Sequence, residues 1–172
     1  MMKQGVNNTI IFFSFLIAQL LVSNFIDFGP MVFIVLYPLF ILTLPVGISS
    51  LSILLWAFAI GAGTDLLYNG MAGINSASAV LMAFLRQPVQ ALLIRKGELD
   101  SQIRPGMFEM GFGRFFAYSA LLLAIHHLAY VFAESLSFVY FSGNISRLLI
   151  SYAVNLTLLM LIEFGIFYKN WR

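Results

Sequence analysis

Cysteine is absent from this chain of 172 residues, and charged residues are scarce, at 9% of the total. Without cysteine there is no disulfide framework, no thiolate metal site and no thiol nucleophile. Soluble domains carry about 25% charged and about 45–50% apolar residues. Here 61% of the residues are hydrophobic, so the composition excludes an ordinary soluble domain and indicates a membrane protein.

The amino-terminal segment resembles a secretory signal only at first sight, because Lys3 precedes an apolar run at 10–22. The uncharged stretch at 4–26 is longer than the apolar core of a signal peptide. Residues 23–25 also lack the small-x-small pattern of a cleavage site. We therefore predict a retained first membrane span.

Turn-forming residues and charges divide the apolar sequence into six intervals. A helix needs about 20 apolar residues to cross roughly 30 Å of hydrocarbon. Gly29 and Pro30 end the first interval, and Pro45 divides the long charge-free interval that follows. The predicted fold is an all-α membrane protein with one domain, residues 1–172, and spans at 8–27, 31–44, 49–67, 74–94, 114–138 and 145–168. The second span is short and contains Pro38, which favours either a kink or an incomplete crossing.

Basic residues are distributed unevenly around these six spans. The hydrophilic loop 95–113 joins the fourth span to the fifth, and an even number of crossings places both termini on the same side as this loop. Because cytoplasmic segments carry the excess of Lys and Arg, we predict cytoplasmic termini, with only Arg147 near the outer side. The basic residues of the inner side are Lys3, Arg86, Arg95, Lys96, Arg104, Arg114, Lys169 and Arg172. Their charges set the topology and attract lipid weakly; they give no support for nucleic-acid binding.

Ionisable groups at membrane depth are costly and normally face the interior of a bundle or water. With a rise of 1.5 Å per residue, Glu134 and Arg147 fall at the outer ends of the fifth and sixth spans. Arg86 and Glu163 both fall in the inner half. These depths predict an ion pair between Glu134 and Arg147 and a weaker one between Arg86 and Glu163. A packing role is the simpler reading of both pairs, and a substrate or proton path is the alternative.

Two adjacent histidines, His126 and His127, lie near the middle of the fifth span. Neighbouring positions on a helix point about 100° apart, so the two rings cannot readily share one ligand. The chain contains no third histidine. We therefore predict hydrogen-bonded packing for this pair, and neither a metal nor a cofactor.

Small residues and one carboxylate mark the end of the third span. Gly61-x-Gly63 is not a phosphate-binding loop, because it lies at membrane depth and no Gly-Lys-Ser/Thr follows it. We predict that both glycines allow close helix contact. Asp65 is expected to form hydrogen bonds at a helix terminus around the turn at 68–73, together with Asn75.

Residues 58–79 read FAIGAGTDLLYNGMAGINSASA, and this stretch resembles the central signature of the MreD family of rod shape-determining membrane proteins. Members tend to show a Gly–x3–Asp step at the end of the third span, then a short glycine-containing turn and a helix of small residues. Here these features are Gly61, Asp65, Gly70 and Gly73. The continuation at 83–88 and the histidine pair are also similar to the family. Gln87 departs from the Arg-Pro step of close members.

The resemblance implies a non-catalytic scaffold in the bacterial inner membrane, within the complex that elongates the lateral cell wall and maintains cell shape. The implied partners are MreC, the actin-like MreB, the RodA glycosyltransferase and a class B penicillin-binding transpeptidase, besides membrane lipid. The resemblance also implies a fold similar to the substrate-binding S-components of energy-coupling-factor vitamin transporters.

Two other functions are weighed against the scaffold. A small-molecule-binding transporter subunit of the S-component kind would need a polar outer cavity. Its lining would come from Asp65, Asn75, Glu134, Asn144 and Arg147. An enzyme would need a set of reacting groups, and the sequence offers no placed carboxylate pair, no Ser-His-Asp set and no metal cluster. We therefore predict that the protein is not an enzyme.

Overall fold

Helices account for almost all of the regular structure. The computed structural model describes residues 2–26, 29, 31–69, 73–95, 97–135 and 143–168, and the side chains among them except those of 2–6, 68 and 69. The helices are α1 (Met2–Phe25), α2 (Pro38–Leu42), α3 (Ser50–Thr64), α4 (Ile74–Leu93), α5 (Met107–Met110), α6 (Phe112–Ser135) and α7 (Ile145–Ile162). Two π-helical turns, Asp65–Asn69 and Glu163–Phe167, continue α3 and α7. No β-strand occurs in these described ranges.

Within the described ranges, four helices are long and apolar enough to cross a membrane: Asn7–Phe25, Ser50–Leu67, Phe112–Ser135 and Ile145–Phe167. Large apolar side chains cover their outer faces, among them Ile17, Leu55, Leu128 and Leu161. An exposed surface of this kind is suited to lipid. The protein is thus an all-helical membrane protein with four candidate spanning helices.

Helix α4 forms the centre of the bundle, packed between α3 and α6. Its 20 residues are numerous enough to span about 30 Å, but its buried face is polar and includes Asn75, Ser78 and Arg86. The opposite face exposes Leu81 and Phe84. The neighbouring helices therefore shield the polar side of α4.

Residues 31–44 differ from the helical second span that the sequence predicts. Only Pro38–Leu42 is helical, and residues 32–36 have no regular secondary structure. Proline at the first helical position explains where α2 begins, because its fixed φ suits that position and its missing N–H would have no partner there. Six spanning helices are therefore not what the described residues show.

The same segment nevertheless runs alongside α1 from one end to the other. The carbonyl of Ile34 accepts a hydrogen bond from Gln19, and the Phe40 ring meets Phe12 edge-on at 5.7 Å between centroids. Further on, Thr43 and Asn8 both accept hydrogen bonds from Arg104. Residues 39–44 are almost completely inaccessible.

Other boundaries differ modestly from the predicted ones. Helix α1 ends at Phe25, so Ile26 lies outside it, and residue 27 is outside the described ranges. The predicted loop 95–113 contains α5 and the first residues of α6. The last part of the predicted fifth span, 136–138, also lies outside the described residues. The loop is attached to the bundle by backbone hydrogen bonds from Val46 to Ile103 and from Gly47 to Ser101.

One ion pair orders the surface of this loop. The Arg114 guanidinium donates to the Glu98 carboxylate, whose other oxygen accepts the backbone N–H of Arg95. The hydrogen bond from Arg114 is the main reason why the pKa of Glu98 lies below its ordinary value. Both side chains are exposed, so this pair adds little to stability.

Candidate functional site

Asp65 joins the end of α3 to the start of α4. Its carboxylate accepts five hydrogen bonds of 2.6–3.1 Å, from the backbone N–H groups of Gly73, Asn75 and Ser76 and from the side chains of Asn75 and Ser76. The first N–H groups of a helix have no partner within the helix, and Gly73 at the N-cap has no side chain to supply one. A carboxylate from the preceding helix takes that role, in agreement with the hydrogen bonding predicted for Asp65.

Gly61 lies directly against this junction. A Cβ at this position would lie 2.5 Å from the Cα and 2.7 Å from the backbone nitrogen of Ser76. Gly63, one half-turn on, faces the side chain of Leu16 instead, at 3.1 Å. Both glycines therefore permit close helix contacts, as predicted. Gly73 has φ +102°, which suits glycine, and Gly70 lies outside the described residues.

A buried chain of hydrogen bonds leads from Asp65 to α6. The Asn75 amide nitrogen donates to Asp65 over 2.9 Å, so the amide oxygen is left to accept. Tyr37 lies 3.1 Å from that oxygen, and His126 Nε2 lies 2.6 Å from the tyrosine oxygen. Because the hydroxyl proton of Tyr37 is used on Asn75, we assign the ring hydrogen of His126 to Nε2, which then donates to Tyr37. Four elements of the fold are thereby joined. Among the described residues, the buried Nδ1 of His126 has no hydrogen-bond partner.

His127 belongs to a different network and takes the opposite tautomer. Its Nδ1 lies 3.0 Å from the backbone carbonyl of Leu123, which can only accept, so Nδ1 carries the hydrogen. Nε2 lies 3.1 Å from the amide nitrogen of Asn155, which is also near the carbonyls of Phe33 and Ser151. The two rings therefore contact different partners, as the 100° separation around the helix predicts.

Side chains of α1 and α7 hold the irregular segment between α1 and α2. Asn155 accepts the N–H of Val35 at 2.8 Å and donates to the carbonyl of Phe33 at 2.7 Å. Ser151 accepts the N–H of Phe33, and Gln19 accepts that of Leu36. A buried backbone without a helical ladder needs such partners, since an unsatisfied polar group in the interior is costly.

Arg86 is completely buried and does not pair with Glu163, so that predicted ion pair is wrong. Its guanidinium donates to the Tyr118 hydroxyl at 2.9 Å and to the carbonyls of Leu42, Leu44 and Pro45. These carbonyls lie at the carboxyl end of α2 or just after it, where a helix carries negative partial charge. Depth along the helices was a poor guide here, because backbone carbonyls rather than a carboxylate stabilise the charge.

Glu163 forms its contact at a different place. One carboxylate oxygen accepts the backbone N–H of Met107 at 3.1 Å, at the start of α5, and the other is buried without a partner among the described residues. Glu163 and Asp65 thus occupy similar structural positions. Each is the first residue of a π-helical turn and accepts hydrogen bonds at the beginning of another helix.

Glu134 and Arg147 form the ion pair that the sequence predicts. Both side chains are about one-fifth exposed, and the guanidinium also lies over the Phe33 ring, 5.2 Å from its centroid. Asn144 donates to the hydroxyl of Ser135 close by. This end of the bundle therefore joins α6, α7 and the segment before α2.

Several members of these networks were not predicted from the sequence: Gln19, Tyr37, Arg104, Tyr118, Ser151 and Asn155. Gln19 and Asn155 carried a usable signal, since each is an amide in the middle of an apolar span. Tyr37 and Tyr118 carried none, because tyrosine is ordinary at membrane interfaces.

Comparisons of the chain with protein-family models, with curated proteins and with solved structures found no match. Chemically, the site is a set of charged and polar groups that form hydrogen bonds at helix ends and between different helices. Among the described residues, no three His, Cys, Asp or Glu side chains come together where they could hold a metal ion.

Replacing Asp65 with asparagine should lower the free energy of unfolding by about 2 kcal/mol, because an amide nitrogen would then face donors from Gly73 and Ser76. Thermal unfolding of the purified protein in detergent measures this. The control is Thr157→Val on α7, where the hydroxyl is exposed and bonds only to its own helix. Equal stability of the two variants would contradict the capping role.

Proposed function

We propose that this protein is a non-catalytic scaffold of the bacterial lateral cell-wall elongation complex, as its resemblance to the MreD family implies. The observation that carries the proposal is the place of the resembling residues. Gly61, Asp65 and Gly73 lie where α3 is joined to α4, so these residues serve the framework of the bundle. Partners in this proposal are MreC, MreB, RodA and the penicillin-binding transpeptidase.

In the proposed topology the chain crosses the inner membrane six times, with both termini and loop 95–113 in the cytoplasm. Residues 31–44 make the second crossing and α4 the fourth. Residues 32–36 have no regular secondary structure, and only Pro38–Leu42 is helical. A segment that is not a full helix can lie at membrane depth, provided that protein surrounds its backbone.

A transporter subunit is supported less well by the polar groups that would line its cavity. Asp65 and Asn75 bond to each other and to the start of α4. Glu134 is paired with Arg147, and Asn144 donates to Ser135. These groups already have protein partners, and a ligand would have to displace them.

Depletion of the protein from its rod-shaped host should produce rounded cells, and the tagged protein should co-purify with MreC from detergent-solubilised membranes. Complementation by the unmodified chain is the control for the depletion. Rods that persist after depletion, together with a small molecule bound to the purified protein, would favour the transporter subunit.

Reporters at Gln102 and Gly143 should be cytoplasmic and external, respectively, and the reverse result would overturn the topology.

A further inference from the structure

The backbone of residues 33–36 depends on side chains from distant parts of the chain. The N–H groups of Phe33 and Val35 donate to Ser151 and Asn155, which lie 118 and 120 positions away. The carbonyl of Phe33 accepts from Asn155 as well. These three hydrogen bonds all come from α7, and we name Ser151 and Asn155 the α7 clamp.

The partners at the other end of the same segment precede α7 in the sequence and are therefore synthesised before it. Arg86 on α4 and Tyr118 on α6 donate to the carbonyl of Leu42, and Arg86 also reaches Leu44 and Pro45. The end of residues 31–44 near α3 can therefore be fixed before α7 exists. The end near α1 cannot be fixed before α7 exists, because Gln19 supplies only one donor and one acceptor to its backbone.

Lipid offers no hydrogen bonds to a non-helical backbone, so such a backbone is stable at membrane depth only where protein encloses it. Residues 32–36 have no helical ladder of their own. Without the α7 clamp, the buried N–H of Val35 and the partly buried N–H of Phe33 would lose these side-chain acceptors.

We propose that the α7 clamp holds residues 31–36 in the bundle, so that this part of the segment is fixed only once α7 has docked. Asn155 is the central residue, since its amide nitrogen also lies 3.1 Å from His127 Nε2 and so brings the segment close to α6. The proposal rests on the six-crossing topology of the proposed function, in which this segment is the second crossing.

Cysteine labelling tests the proposal cleanly, because the chain has no cysteine of its own. Val35→Cys is a conservative reporter inside the segment, and Ile60→Cys is a reporter in the completely buried face of α3. Each is placed in the unmodified full chain and in the clamp variant Ser151→Ala/Asn155→Leu. Intact membranes are then treated with a membrane-impermeant maleimide.

The Val35→Cys reporter should react slowly in the unmodified chain and about tenfold faster in the clamp variant, with Ile60→Cys protected in both. Ser151→Ala alone removes one of the three hydrogen bonds and should give a smaller increase, about threefold. The matched control is Thr157→Leu, also on α7, whose exposed hydroxyl bonds only to Ala153 of the same helix. It should leave both reporters protected.

Unchanged protection of Val35→Cys in the clamp variant would overturn the proposal. Loss of protection at both reporters would also overturn it, because the clamp would then hold the whole bundle and not this segment. Rapid labelling of Val35→Cys in the unmodified chain would remove the second crossing and the clamp together. The scaffold function would stand or fall separately, on cell shape and co-purification with MreC.

Discussion

Replacing Arg86 with leucine should lower the free energy of unfolding by about 3–5 kcal/mol, the largest effect expected of any single substitution in this chain. The guanidinium is 0% exposed and is the donor for the carbonyls of Leu44 and Pro45. Leucine supplies no donor, so these buried carbonyls would lose the hydrogen bonds that Arg86 gives them. Unfolding of the purified protein in detergent, by heat or by added denaturing detergent, measures the loss.

Arg86→Lys is the informative companion variant. An ammonium group keeps the charge, but it cannot copy the fork of guanidinium donors that reaches Tyr118 and the carbonyls after α2 together. We expect it to recover only part of the lost stability. A lysine variant as stable as the unmodified protein would show that charge alone matters here, and would contradict the role assigned to the fork.

Exchange of charges separates the two candidate ion pairs. The double variant Arg86→Glu/Glu163→Arg should be no more stable than its single variants, because the two residues do not touch. Glu134→Arg/Arg147→Glu is the matched control, and there the exchange should recover about 1 kcal/mol relative to the single variants. Recovery by the first exchange would restore the pair that the sequence predicts.

Local sequence signals were sufficient for the junction between α3 and α4. Gly61, Asp65 and Asn75 lie within 15 positions of each other, so a glycine step, a carboxylate and a turn already predict a close contact with a hydrogen-bonded helix start. The ion pair of Glu134 and Arg147 was predictable for a similar reason, since the two residues flank one connection between helices. In both cases the chain between the partners is short.

The segment at 31–44 and the partners of Arg86 could not be predicted in this way. Hydropathy shows that a stretch is apolar, but it does not show whether the backbone of that stretch forms the hydrogen bonds of a helix. Two of the side chains that bond to the backbone of this segment, Ser151 and Asn155, lie more than 100 positions away. The sequence prediction paired Arg86 with Glu163 because a carboxylate can be identified from the sequence. Backbone carbonyls can be identified as acceptors only when the position of the end of α2 is known.

Replacing Gly61 with alanine should lower the free energy of unfolding by about 3 kcal/mol, although alanine is the better helix former. The new methyl group would lie 2.5 Å from the Cα of Ser76 and 2.8 Å from the backbone oxygen of Asn75. Both contacts are with backbone, so no side chain can turn aside, and α3 and α4 must move apart. The five hydrogen bonds of Asp65 span this contact and should lengthen as the helices separate.

Gly63→Ala is the matched control on the same helix. Its methyl group meets only the far end of the Leu16 side chain, at 3.1 Å, which can adjust by a small rotation. The gain in helix propensity, about 1 kcal/mol for alanine over glycine, should then offset most of the strain, and stability should stay close to that of the unmodified chain. Thermal unfolding of both variants side by side in one detergent decides the matter. Equal stabilities would mean that α3 and α4 do not approach each other closely at Gly61, and the role of Asp65 at the start of α4 would have to be abandoned with it.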